Sequence, residues 1–331
     1  MINRRKLIVA LGASALAAPF DLFAQQSGKI PRIGFLANGF RAELSDPSSN
    51  WSGFLEGLRA LGYVEGKNII VEWRFAEGKL ERQTQLIAEL VQLKVDVIVV
   101  TGTQGAQAAS RATKTIPIVI GNITDPVGLG LVASLARPGG NITGLCNMAE
   151  DLSPKYVELL KAFVPNFSRV AFLINPANSV HPLIFKGIQS AAAAHGIKVL
   201  QVDAKSAPDL EPAFAAIKRE RIQGVIVGAD GFFSESRRRL AELAGTHRIA
   251  MIGLASNYTE AGALMSYGQN SRDSVRRAAT YVDKILKGAN PALLPIEQST
   301  KLDLVVNRKT ANAFGLKIPQ EILLRADAVI E

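Results

Sequence analysis

The 331-residue chain has few of the side chains that bind metals or form disulfides. It contains one cysteine, Cys146, which excludes an internal disulfide even in an oxidising compartment. The three histidines, His181, His195 and His247, lie far apart and have no second ligand at a useful spacing, so we expect no zinc site. Cys146 lies in an apolar strand pattern, which predicts a buried and inert thiol. The sequence therefore indicates no metal and no cofactor.

The sequence also lacks the motifs of the common nucleotide-binding and hydrolytic enzymes. Residues 128–130 read Gly-Leu-Gly, but they follow Asp-Pro instead of a strand and lack the third glycine of the dinucleotide fingerprint. Neither a Gly-x-Ser-x-Gly elbow nor a Walker lysine occurs. A non-enzymatic function is therefore expected. The enzymatic alternative is a pair of carboxylates, Asp125 and Asp230, facing each other across a cleft as in glycoside hydrolases.

The formal net charge of +9 is spread along the chain. After the first 24 residues, arginines cluster only at 237–239 and 272–277, and both clusters fall in helical patterns. A solvated helix face is the expected role of such a cluster, so we expect no nucleic-acid partner.

The first 24 residues have the pattern of a cleavable signal peptide. A basic stretch at 3–6 precedes an apolar run at 7–20, and Ala24 ends the segment as the cleavage site. The apolar run is shorter than the ~20 residues that span a bilayer and contains Pro19, which disfavours a membrane anchor. We therefore expect export to the periplasm.

Strand and helix patterns alternate from residue 30 to residue 124. Apolar runs predict strands at 30–38, 68–75, 96–100 and 117–121, with helices near Ser49, at 80–93 and at 105–113. Such a series forms a parallel sheet that binds ligands at the carboxyl ends of its strands. The polar residues at these ends are candidate ligand contacts, namely Asn38, Thr101, Thr103, Thr124 and Asp125.

Residues 124–147 are expected to connect this α/β series to a second one. A short apolar helix is predicted after Asp125. Pro138 and the two glycines that follow it cannot continue a helix and predict a turn or hinge. We expect the chain to cross to the second lobe here.

The second series repeats the same alternation. Strands are predicted at 169–174, 198–202, 224–227 and 249–254, and helices at 153–163, 182–195, 210–221 and 234–247. The strand ends offer Asn175, Asn178, Asp230 and Phe232 as ligand contacts. The paired aromatics Phe232 and Phe233 are interpreted as a ligand wall or, equally, as core. Two α/β lobes in tandem predict a cleft between them.

The predicted fold is therefore two Rossmann-like α/β lobes with parallel sheets, joined by a hinge of three segments. The first lobe is expected at 29–145 and about 266–299, the second at 146–265 and about 300–331. The strand at 262–268 is expected to cross back to the first lobe, and the lobe that holds the tail is left open.

Several stretches resemble one known family, the ABC transporter substrate-binding proteins whose better-known members import tryptophan and related amino acids. The resemblance runs from about residue 30 to the last residue and is carried by residues 57–68, 125–128, 135–144, 264–268, 281–288, 297–298, 300–301 and 324–331. It implies a type I periplasmic-binding-protein fold that captures a small molecule between its lobes. It also implies delivery of that solute to a membrane permease with its ATPase.

For an amino-acid ligand, Thr101 and Thr103 are expected to hold the carboxylate, while Asp125 or Asp230 pairs with the ammonium group. Phe232 and Phe40 are expected to stack on the apolar part of the solute. We expect the protein to act as a monomer. A module that reports ligand to a membrane receptor requires the same closing cleft and remains an alternative function.

Overall fold

A computed structural model describes residues 29–46, 49–149, 151–298 and 301–331. The predicted signal peptide, residues 1–24, lies outside these ranges. Within them, no helix has both the length and the apolar character needed to cross a bilayer.

The first sheet has six parallel strands in the order β11-β5-β4-β3-β1-β2. They are β1 (Arg32–Ala37), β2 (Ile70–Phe75), β3 (Val97–Val100), β4 (Ile118–Thr124), β5 (Ile142–Asn147) and β11 (Glu297–Gln298). The helices of this first lobe are α1 (Asn50–Ala60), α2 (Gln83–Gln92), α3 (Thr103–Ala112) and α10 (Ser271–Leu286). Short 3-10 helices span Arg41–Ser45, Leu80–Arg82 and Pro291–Leu293. The first α/β series is thus confirmed.

The second sheet has seven strands in the order β13-β12-β10-β9-β8-β6-β7 and is parallel except for the pair β10 and β12. They are β6 (Arg169–Ile174), β7 (Lys198–Asp203), β8 (Gly224–Val227), β9 (Ala250–Gly253), β10 (Met265–Gly268), β12 (Asp303–Asn307) and β13 (Ala328–Ile330). The helices of this second lobe are α4 (Ser153–Phe163), α5 (His181–Ala193), α6 (Ala207–Arg219), α7 (Gly231–Glu235), α8 (Arg237–His247), α9 (Ser256–Glu260), α11 (Arg308–Phe314) and α12 (Gln320–Arg325).

Each sheet is buried on both faces. In the first lobe, Phe35 packs with α1 and α10, whereas its neighbour Leu36 packs with α2 and α3 on the other face. Alternate side chains of a strand point to opposite faces, so a strand covered on both sides must be apolar throughout. This requirement explains the continuous apolar runs of the central strands.

Cys146 is buried in β5, as its apolar strand pattern predicted. Burial raises the pKa of its thiol to about 11, because the thiolate is disfavoured in an apolar environment. The reactive thiolate is therefore scarce at neutral pH.

The segment 124–147 differs from its prediction in two ways. Residues 126–135 form turns and bends instead of a short helix. The turn at 137–140 leads into β5, which pairs with β4 in the first sheet, so the chain crosses to the second lobe only after Asn147. The apolar residues expected in a helix, such as Val132, are instead buried against the first lobe's core.

The later crossings also differ in place. The prediction that residues 262–268 return to the first lobe is wrong, because β10 pairs with β9 and β12 in the second sheet. The chain returns just before α10, which packs on α1 and β4 of the first lobe as its apolar face predicted. It crosses again between β11 and β12, and the tail strand β13 pairs with β12. Hydrogen bonding to a distant strand decides these positions, and local sequence does not encode it.

We expect Gly57→Ala to destabilise the first lobe. A methyl group at Gly57 would lie 2.3 Å from the carbonyl oxygen of Arg276, where α1 crosses α10. The helices must separate, at a cost of about 1–3 kcal/mol in the free energy of unfolding. Gly245 in α8 has open space around it, so the control Gly245→Ala should be neutral or stabilising by up to ~1 kcal/mol. Urea unfolding of both variants measures this, and equal midpoints would contradict the close contact.

Candidate functional site

The carboxyl ends of strands from both sheets border one cavity of about 120 Å³. This volume is smaller than the roughly 150 Å³ of an apolar cavity that holds a benzene molecule, so a solute larger than benzene would require the lobes to separate further than they do here. The first lobe lines it with Asn38, Asn50, Trp51, Thr101, Gly102, Thr103, Asn122, Ile123, Thr124, Asn147, Ser271 and Val275. The second lobe and the crossings line it with Met148, Ala149, Leu152, Tyr156, Ala229, Asp230, Gly231, Ser234, Glu235, Leu254, Ala255, Asn257, Tyr258, Gly268 and Gln269.

The start of α3 borders the cavity from the first lobe. Gly102 precedes the helix with φ at +82°, a conformation that favours glycine. No side chain caps the helix at this point, so its first backbone N–H groups lie beside the hydroxyls of Thr101 and Thr103. The positive end of a helix dipole and hydroxyl donors together favour an anionic group such as a carboxylate.

The charged side chains of the lining are all acidic. Asp230 and Glu235 line the cavity, whereas none of the described lining residues is Lys, Arg or His. A solute that carries only negative charge would meet two carboxylates in this lining. The lining therefore favours a solute with a cationic group near these acids.

Asp230 is held by side-chain amides. Its carboxylate accepts hydrogen bonds from Asn178 Nδ2 at 2.9 Å and from Asn175 Nδ2 at 3.3 Å. It also accepts the backbone N–H of Phe232 at 2.8 Å, because Asp230 caps α7. These donors stabilise the charged carboxylate, although Asp230 is only 9% exposed.

The buried His181 supports the same loops. The backbone N–H of Asn175 donates to His181 Nδ1 at 2.9 Å, so the ring proton lies on Nε2 and is donated to the carbonyl of Ala229 at 3.1 Å. Burial lowers the pKa of His181, and the nearby charge of Asp230 opposes that shift only in part. The neutral ring thus joins the loop after β6 to the loop after β8.

Aromatic rings form the apolar walls of the cavity. Trp51, Tyr156 and Tyr258 are all buried and all line it. Trp51 contacts Phe35 edge-on with the ring centroids 5.7 Å apart, which fixes its orientation. An aromatic or other apolar group of a solute would fit against these walls.

Several polar atoms of the lining are buried without a hydrogen-bond partner among the described residues. They are Thr101 Oγ1, Asn122 Oδ1, the Tyr156 hydroxyl and Asn257 Oδ1. Each such atom costs about 1–3 kcal/mol when it stays unpaired. A solute with hydrogen-bonding groups at several positions would remove this cost, which indicates a polar as well as partly aromatic ligand.

The two lobes touch beside the cavity. Gln104 Nε2 in α3 donates to Asp230 Oδ2 at 2.9 Å, and Gln107 Nε2 donates to Ser179 Oγ at 3.2 Å. Gly231 approaches Asn38 so closely that a methyl group there would lie 2.2 Å from Asn38 Nδ2. The lobes are therefore closed around the cavity.

The structure brings together half of the residues that the sequence proposed as ligand contacts. Those that line the cavity are Asn38, Thr101, Thr103, Thr124 and Asp230. All of them follow or end strands of the two sheets, as the rule for ligand sites in α/β proteins requires. Their contact with a solute stays a prediction.

The other proposed residues lie outside the lining. Phe40 is 47% exposed, and Phe232 is buried in the core of the second lobe. The carboxylate of Asp125 accepts the backbone N–H of Gly128 at 2.7 Å and so caps its own turn. Asn175 and Asn178 lie behind Asp230 and orient it, as described above.

Sequence reasoning missed most of the lining residues that lie on helices, with Thr103 as the exception. Trp51, Tyr156, Glu235 and Tyr258 are placed in α1, α4, α7 and α9. A search limited to polar residues directly after strands overlooks these four side chains, because each lies in a helix. Helix periodicity could have identified Glu235. It lies one helical turn after Gly231, so both residues are on the face of α7 that borders the cavity.

Fold and cavity define a two-lobed solute-binding protein of the type I periplasmic class. The chain belongs to the ABC transporter substrate-binding protein family, whose model matches residues 44–330. A curated relative, the tyrosine-binding protein of Clostridioides difficile, is 24% identical over 80% of this chain and 76% of its own. The resemblance seen in the sequence is thereby confirmed.

Two solved structures show how the lobes compare. A domain from Streptococcus pneumoniae in complex with L-Trp is 25% identical, covers 91% of this chain and 99% of its own, and superposes with a TM-score of 0.82. The ligand-free, open structure of a substrate-binding protein with adhesive properties from Clostridium difficile has the same identity and coverage but a TM-score of 0.63. The present lobe arrangement is thus nearer to the liganded relative.

We expect acid to destabilise the protein through His181. The folded chain keeps this ring neutral, while the unfolded chain protonates it below about pH 6.5. The unfolded state then binds more protons, so the free energy of unfolding falls as the pH drops below that value. Urea unfolding at pH 7.5 and pH 5.5 measures the loss.

The variant His181→Gln should lose less stability between these two pH values than wild type, although it is less stable overall. His195 is exposed, so the control His195→Gln should keep the wild-type pH dependence. An unchanged acid sensitivity in His181→Gln would contradict the assignment.

Proposed function

We propose that this protein captures an amino acid with an aromatic side chain between its lobes and delivers it to the membrane permease and ATPase of an ABC importer. The observation that carries the proposal is the charge of the cavity lining, which has two carboxylates and no basic side chain among the described residues. A zwitterion suits such a lining because its ammonium group would be attracted to these carboxylates.

The two charged groups of the solute find different partners. Its carboxylate would lie at the start of α3, where backbone N–H groups and the hydroxyls of Thr101 and Thr103 are donors. Its ammonium group would lie toward Asp230 and Glu235. Of the two carboxylates considered from sequence, Asp230 is supported by its place in the lining, whereas Asp125 points to its own turn.

The aromatic walls and the relatives support the same class of solute. Trp51, Tyr156 and Tyr258 offer ring faces and edges to an aromatic side chain. One relative is described as tyrosine-binding and another was solved with L-Trp. We propose further that the signal peptide exports the protein to the periplasm and that it acts there as a monomer.

Delivery to a permease requires that binding changes the shape of the protein. Closed lobes join residues of both sheets around one solute, so binding shifts the equilibrium from open to closed. The contacts of Gln104 with Asp230 and of Gln107 with Ser179 join the lobes in the present arrangement, and we expect opening to break them.

Calorimetric titration with matched analogues tests the proposed solute class. L-Tyrosine is compared with tyramine and 3-(4-hydroxyphenyl)propionate, and L-tryptophan with tryptamine and indole-3-propionate. We expect an amino acid to bind and each analogue that lacks one charged group to bind at least tenfold more weakly, or ~1.4 kcal/mol. Equal binding of the propionates, or binding of sugars in place of amino acids, would refute the zwitterion site.

The variant Gly231→Ala should hinder closure. Its methyl group would lie 2.2 Å from Asn38 Nδ2, so the lobes could not make their present contact. We expect at least tenfold weaker amino-acid binding, or ~1.4 kcal/mol, with little change in unliganded stability. Small-angle X-ray scattering should show that saturating amino acid compacts wild type and Gly245→Ala but not Gly231→Ala. Equal compaction of all three proteins would show that this contact does not limit closure.

A further inference from the structure

We propose that the hydroxyl group of Tyr156 hydrogen-bonds a polar group on the ring of the bound amino acid and thereby selects tyrosine or tryptophan over phenylalanine. This inference rests on the proposed function, the binding of an aromatic amino acid. It assigns the choice between aromatic amino acids to one side chain of the second lobe.

Tyr156 is placed for this role by its burial and its missing partner. The side chain lines the cavity from α4 and is 1% exposed, and its hydroxyl has no hydrogen-bond partner among the described residues. Buried tyrosine hydroxyls normally have one. In this chain the buried Tyr281 donates to the carbonyl of Pro295 at 2.8 Å, and even the partly buried Tyr63 donates to Asp283 at 3.0 Å.

The side chains around Tyr156 are apolar, so they suit the ring of a solute better than one of its charged groups. Leu152, Met148 and Ala149 line the cavity next to it on the same stretch of chain. Tyr156 itself packs in the apolar core of the second lobe. The uncharged part of an amino acid belongs at this end of the cavity, since apolar walls disfavour its ammonium and carboxylate groups.

The electrostatic surroundings of Tyr156 differ from those of Tyr258, which lies near Asp230 and Glu235. Burial raises the pKa of Tyr258, the negative charges of Asp230 and Glu235 raise it further, and the positive charge of Arg237 opposes the shift in part. Burial likewise raises the pKa of Tyr156, but the second contribution comes from Tyr267 and not from either acid. Tyr258 thus lies near the carboxylates expected to face the ammonium group, whereas Tyr156 lines the cavity beside the apolar side chains of Met148 and Leu152.

A neutral tyrosine hydroxyl can form a hydrogen bond with a phenol hydroxyl or with an indole N–H. It donates to or accepts from the phenol of tyrosine, and it accepts from the indole N–H of tryptophan. Phenylalanine offers neither group, so closing over it removes the hydroxyl from water without replacing the hydrogen bond. Sites built around such a bond reject the analogue that lacks it.

Calorimetric titration of wild type and Tyr156→Phe with L-tyrosine, L-tryptophan and L-phenylalanine tests the inference. Wild type should bind L-tyrosine or L-tryptophan at least tenfold more tightly than L-phenylalanine. In Tyr156→Phe this preference should fall to within about threefold, because the polar ring loses its partner while phenylalanine loses nothing. Its unliganded melting temperature should equal or exceed that of wild type, since the removed hydroxyl has no partner in the protein.

The matched control is Tyr281→Phe, which removes a hydroxyl that is bonded and lies outside the cavity lining. It should lower the melting temperature and leave the ratio of the dissociation constants unchanged. A wild-type protein that binds all three amino acids equally, or a Tyr156→Phe variant that keeps the wild-type ratio, would overturn the role of Tyr156 and leave the proposed function intact. A wild-type protein that binds none of them would refute both.

Discussion

The binding edge of the second lobe depends on one buried carboxylate, that of Asp230. Its oxygens accept hydrogen bonds from the side-chain amides of Asn175 and Asn178 and, across the cleft, from that of Gln104. A buried carboxylate without such donors would be strongly disfavoured. With them it joins two loops of its own lobe and holds them against the first lobe, which allows Gly231 to approach Asn38. The position of the cavity wall follows from these bonds.

The cavity combines features that seldom serve protein stability alone. Buried carboxylates, and buried polar atoms without a hydrogen-bond partner among the described residues, each cost free energy in the folded protein. They lie together with aromatic walls and the start of α3 around one space. In the proposed function, a bound zwitterion with an aromatic side chain would offset these costs with different parts of its structure. The same features would then contribute to both affinity and selectivity.

Local sequence patterns predicted most of the elements. Ser49 was expected near the start of a helix, and its side chain caps α1 by accepting the N–H of Ser52. The apolar run at 96–100 forms the central strand β3, and the hydroxyl residues after it line the cavity as proposed. In contrast, β10 was assigned to the wrong lobe. Its sequence is apolar enough for either sheet, and only its pairing with β9 and β12 decides between them.

The residues of the site were likewise predicted in part from local sequence and decided in part by tertiary contacts. By itself the sequence determined the two α/β series, the family and the strand ends that carry Asn38, Thr101 and Asp230, because strand periodicity and the parallel-sheet rule act locally. Only the tertiary structure decided that Asp125 binds its own turn, that Phe232 is core, and that Glu235 and Tyr156 reach the cavity. The reason is that each side chain's partner comes from an element distant in the chain or depends on the direction in which a helix face points.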